Sequence, residues 1–104
     1  MPYTSNWTGG LDNKATILTI SANYKLTDAE KRRDIIVNAT EQDLTLNVDA
    51  TDGDVLLVYN AGDNGVSVIK NDADESGASV DSGALVYLIA SVGETSFDAL
   101  TIKE

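Results

Sequence analysis

The chain has 104 residues, 42% of them apolar and only 6% aromatic, enough for one hydrophobic core made mainly of Val, Ile and Leu. It contains no cysteine and no histidine, which excludes disulfides, thiol nucleophiles, the usual zinc ligand sets and histidine acid/base catalysis. Seventeen acidic against seven basic residues give a net charge of −10, a field that favours solubility and repels nucleic-acid phosphates.

Residues 1–13 carry Pro2, Gly9-Gly10 and two large aromatics, Tyr3 and Trp7, with no sustained apolar period. They read as an N-terminal arm ahead of a domain at 14–104. Trp7 is the single tryptophan of the chain, and its apolar surface calls for a docking place on the domain, on a neighbouring subunit or on a partner. The arm lacks the basic and apolar regions of a signal peptide, and no run approaches the ~20 apolar residues of a membrane-spanning helix. A soluble protein that is not exported through a cleavable signal is expected.

Residues 15–21 alternate Thr16, Leu18 and Ile20 against Ala15, Ile17 and Thr19, a strand apolar on both faces for part of its length. Thr27-Asp28-Ala29-Glu30 is a capping box and predicts a short helix through Lys31, Arg32 and Arg33, where cations suit the C-terminal end of the helix dipole. A strand resumes at Ile35, Ile36 and Val37. From Leu44 the period is two, with Leu44, Leu46 and Val48 on one face and Thr45 and Asn47 on the other. Val55, Leu57 and Tyr59 oppose Leu56, Val58 and Asn60, so this segment is apolar on both faces and reads as a central strand. The Gly62-Asp63-Asn64-Gly65 turn predicts a hairpin between it and the run from Val66 to Lys70. Residues 78–80 and the long apolar run 84–92 follow, and then Phe97, Leu100 and Ile102. Strand starts recur about every ten residues, as in sandwiches and small barrels, without an exact internal repeat. The expected fold is all-β, a single antiparallel β-sandwich or barrel-like domain with one short helix.

Candidate chemistry is sparse. Asp72-Ala73-Asp74-Glu75-Ser76-Gly77 begins like a calcium loop, but its twelfth position is Gly83 instead of a bidentate Glu, so it reads as an acidic turn. Asp52 and Asp54 flank a glycine, the pattern of a turn before that of a carboxylate pair. There is no phosphate loop and no G-x-S-x-G elbow, so neither enzymatic activity nor a cofactor is expected. Arg32-Arg33 either grips an anion or complements the helix dipole. Asn6-Trp7-Thr8 and Asn38-Ala39-Thr40 match the glycosylation tripeptide, which has no meaning without secretion. Tyr24, Tyr59 and Tyr87 would make a sugar-stacking platform if they shared an exposed face.

The order of these features resembles a small module of tailed-bacteriophage virion proteins. The correspondence runs through Leu18-Thr19-Ile20-Ser21, the Leu26-Thr27-Asp28-Ala29-Glu30 turn and Ile35-Ile36-Val37. It continues through Val58-Tyr59-Asn60-Ala61-Gly62, Val66-Ser67-Val68, Gly77 with Val80, and Gly83 with Val86-Tyr87. The module's last hairpin often has an S-D-G-T/N turn where this chain has Ser91-Val92-Gly93-Glu94, and residues 71–76 form an acidic insert of its own. The resemblance implies a capsid decoration or head-fibre protein on the exterior of the virion capsid. It also implies a homotrimer partnered by the major capsid protein, with neither nucleic acid nor membrane as a target. The arm would attach to a capsid or subunit sheet edge through Pro2, Tyr3, Trp7 and Leu11. The alternative is a tail-fibre or carbohydrate/receptor-binding module.

Overall fold

Alternating side chains give each strand one buried and one outward row. In the computed structural model of the chain, which describes residues 14–73, 77–91 and 96–104, that alternation organises the strands. In order they are β1 (Thr16–Ile20), β2 (Tyr24–Lys25), β3 (Ile35–Ala39), β4 (Leu44–Val48), β5 (Val55–Asn60), β6 (Val66–Lys70), β7 (Ala78–Val80), β8 (Leu85–Ala90) and β9 (Phe97–Lys103). They form two sheets, a first of order β1-β3-β5-β8-β9 and a second of order β2-β4-β6-β7. Between the sheets lie Ile35, Val37, Leu46, Val58, Val68, Val80, Val86 and Leu88, all essentially inaccessible to water, with Leu26 and Phe97 closing the sides.

From β1 to β6 the chain crosses to the other sheet at every connection and returns parallel to the strand two before it. It therefore winds as a flattened solenoid. Thr16 pairs with Ile35, Ile35 with Val58, Tyr24 with Leu46 and Leu44 with Val66, so each coil takes 19 to 23 residues. The winding stops after β6. Asn71 and Asp72 take positive φ of 53° and 59° and Ala73 N–H donates to Lys70 O at 3.0 Å, the two-residue reversal that suits a twisted hairpin. β7 then runs antiparallel to β6, while β8 adds antiparallel to β5 and β9 antiparallel to β8.

The all-β expectation holds, but two of its details do not. Most neighbouring strands are parallel, and the sheets stay separate without closing into a barrel. Nor do β5 and β6 form a hairpin, since they belong to different sheets. The reason lies in Asn60, whose buried side chain donates to Asn64 O at 2.8 Å and Val80 O at 2.9 Å and accepts from Gly62 N–H at 3.0 Å. Ala61 N–H meanwhile donates to Val37 O of the preceding coil at 2.9 Å, so the backbone leaves its sheet instead of doubling back. An Asn-Gly signal marks a turn without fixing which strand receives the chain.

The predicted helix shrinks to a single 3-10 turn, Glu30–Arg32. Its capping box does form, with Thr27 N–H donating to Glu30 Oε1 at 2.8 Å and Glu30 N–H to Thr27 Oγ1 at 3.2 Å. Arg33 is already extended, with φ −123° and ψ 162°, because the chain must reach β3 one residue after Asp34.

Polar side chains stitch the corners of one coil to the next. Asn23 Oδ1 accepts Thr45 N–H at 2.9 Å, Asn64 Nδ2 donates to Ala39 O at 2.6 Å, and Asn71 both accepts from and donates to the Ala50 backbone at 2.8 Å. These bonds extend the ladders past the strand ends and satisfy backbone groups that the turns would otherwise bury unpaired.

Gly77 tests how closely β7 must approach β6. A Cβ there would strike the Val68 carbonyl oxygen, with its carbon at 2.7 Å and Ile69 Cγ2 at 2.9 Å. Gly77→Ala is expected to cost about 1–3 kcal/mol in urea unfolding. Ser79→Ala, on the exposed row of the same strand, should stay within about 0.5 kcal/mol of the parent.

Candidate interaction surface

The two outward faces of the molecule differ in chemistry. On the second sheet the outward rows are Thr45-Ser67-Ser79 and Lys25-Asn47-Ile69, polar except for one residue. On the first sheet the paired residues build one row of Ile17, Ile36, Tyr59, Leu85 and Lys103, a second of Leu57, Tyr87 and Leu100, and a third of Val55, Ile89 and Asp98, with Thr19 paired to Asn38 at the far end of β1 and β3. Ile17 is 71% exposed, Leu100 63% and Ile102 54%, while Tyr59, Val55 and Ile89 each remain more than a third exposed. A sheet face with water on one side normally alternates apolar-in with polar-out. Here the outward side is largely apolar too, with Thr19, Asn38, Asp98 and Lys103 at its margins.

Charge is segregated to the ends of the strands. Of the described acidic residues only Asp98 lies in a strand; the others sit on turns, on the 3-10 turn or at the end of the chain. Several of these are tied into the fold, with Lys25 Nζ 3.3 Å from Asp49 and 3.8 Å from Asp72, and Lys31 Nζ 3.6 Å from Asp28. Lys70 and Asn60 are polar members of the inner rows, and the Lys70 side chain is buried with its ammonium 3.4 Å from Asp52 Oδ1 and 3.3 Å from Ser91 O. A hollow of about 340 Å³ opens beside the 3-10 turn, with Val48, Ala50, Leu56 and Phe97 as apolar walls and Lys31 and Arg32 at its mouth. The Lys31 ammonium is committed to Asp28 and to the Asp49 carbonyl at 2.6 Å.

The expected site residues fare unequally. Pro2, Tyr3, Trp7 and Leu11 lie outside the described residues, as do residues 74–76 of the acidic turn. Among the described residues no group of three or more acidic side chains is placed to hold a metal, and Asp72 instead accepts from the Asn47 side chain. Asp54 accepts from Thr51 N–H at 2.9 Å and Asp52 meets Lys70, so the pair serves its turn. Arg33 donates to Lys14 O at 2.8 Å, which separates its role from that of Arg32. Tyr59 and Tyr87 share the apolar face on adjacent strands, whereas Tyr24 packs against the core of the other sheet. Reasoning from sequence missed the face itself. The signal is present in strands apolar on both faces, a pattern that points to the central place of β5 without saying what covers the second apolar row.

Compared with family models, curated proteins and solved structures, the chain matches none.

Tyr24 and Glu30 couple β2 to the 3-10 turn, the tyrosine hydroxyl donating to both carboxylate oxygens at 2.8 Å. That hydrogen bond raises the Tyr24 pKa, aided by desolvation and by the carboxylate charge. Desolvation pushes Glu30 up, yet the hydrogen bonds from Thr27 and Tyr24 outweigh it and hold the carboxyl below its ordinary value. A depressed carboxyl contributes stability above its unfolded pKa and loses it as pH falls through the lower folded value. A raised tyrosine contributes below its unfolded pKa and loses it as pH rises through the folded value. Tyr24→Phe should therefore raise the Glu30 pKa toward the ordinary carboxylate range, read by carboxyl-carbon NMR titration. It should also flatten the acid limb of stability measured by urea unfolding between neutral pH and pH about 3.

Proposed function

We propose that this chain is a structural protein of a bacteriophage virion, a capsid decoration or head-fibre protein that binds the outer capsid surface and stabilises the shell. The observation that carries the reading is a small two-sheet body that presents contact surface on its broad sides while its charges gather at its turns. The order of sequence features from Leu18 to Tyr87 supports the same reading by its resemblance to phage head modules. In mechanism the protein would bridge neighbouring capsid subunits, each copy adding one contact to a multivalent layer, with residues 1–13 adding as a strand to a capsid edge.

The presence of Tyr59 and Tyr87 on one face favours a second reading, a tail-fibre or glycan-binding module that stacks sugar rings on tyrosine. Loss of glycan binding in Tyr59→Ala and Tyr87→Ala, by a chain that does not sediment with heads, would favour that reading over the capsid one.

The deciding experiment is co-sedimentation of the full chain with phage heads assembled from the major capsid protein of the same genome. Saturable binding to expanded heads is expected. A chain lacking residues 1–13 should lose that binding yet keep a single cooperative urea transition. Absence of binding by the full chain would sink the capsid reading, and undiminished binding of the shortened chain would sink the role of the arm.

A further inference from the structure

We infer that the outward face of the first sheet is covered by a second copy of this chain. The inference rests on the rows of side chains, independently of the virion reading. Five strands at ~4.8 Å spacing and about five residues of ~3.4 Å rise give a footprint of roughly 400 Å² per face. Two such faces bury on the order of 800 Å², below the ~1,200 Å² of stable interfaces and in the range of weak, transient contacts. The contact is therefore concentration-dependent and not obligate.

Charge decides who the occupant is. Two chains of net charge −10 repel through their turns, and the first-sheet face is a large surface on which that charge is nearly absent. Its outward rows carry only Asp98 and Lys103, both on β9, at opposite ends of the strand and of opposite sign. Those charges favour contact between identical chains. A foreign partner selected by this chain's acidity would instead be basic and would seek the turns.

The face variants are Leu100→Asp and Ile17→Asp. Both positions lie on edge strands of the first sheet and already meet water, so a charge there leaves the fold in place, as circular dichroism and urea unfolding will report. Ser79→Asp adds the same charge to the polar face of the second sheet. Sedimentation velocity of the full chain from about 1 to about 300 µM should show mass rising with concentration for the parent and for Ser79→Asp. The two face variants should need about tenfold higher concentration for the same shift. A parent chain that stays at 11.0 kDa throughout overturns the inference, as does association indifferent to both face variants. A monomeric parent that binds heads through Leu100 would give the face to the capsid and overturn it as well. Self-association that follows the face variants while heads are not bound would leave this inference standing and the virion reading refuted.

Discussion

The aliphatic layer between the two sheets is the constraint on which the molecule depends. Its members come from alternate positions of strands that themselves alternate between sheets, so two nested periods must agree for Leu46, Val58, Val68, Val80 and Leu88 to meet. A slip of one residue in any coil would turn that strand's inward row to water and bring an outward row into the core. Short β-branched and leucine side chains suit this layer because they fill the narrow gap between flat coils at a single depth. Bulkier groups are kept to its margins: Phe97 begins the edge strand β9, and Tyr24 is only half-buried.

Holding the coils in register falls to the corners. Parallel ladders leave slanted bonds and unpaired groups where each strand turns toward the other sheet. Asn23, Asn60, Asn64 and Asn71 fill those gaps because a carboxamide both donates and accepts, matching either side of a peptide group. The asparagines thus carry the ladders around the bends that the aliphatic layer cannot specify.

Much of this was legible in the sequence. Strand positions, the glycine turns, the capping box at Thr27 and Glu30 and the central place of β5 follow from local period and turn chemistry. Strand partners did not, because a turn such as Gly62-Asp63-Asn64-Gly65 reverses or redirects the chain according to what Asn60 and Ala61 bond to, and two of those partners, Val80 and Val37, lie 20 or more residues away. The solenoid period escaped for a related reason: coils of 19 to 23 residues share inward aliphatic positions but not residue identities. The apolar face was visible as doubly apolar strands, yet sequence alone does not say whether the second apolar row meets protein or water.

The reversal at Asn71 and Asp72 has a consequence for the growth of the structure. A parallel solenoid has no inherent length, since its last coil offers the same backbone template as its first. Turning β7, and with it β8, against the winding leaves the C-terminal end one strand taller in the first sheet than in the second. A second molecule set end to end would have to bridge a step of ~4.8 Å and meet a parallel and an antiparallel edge at once. The mismatch disfavours stacking into filaments and leaves the broad side of the first sheet as the direction in which copies can add.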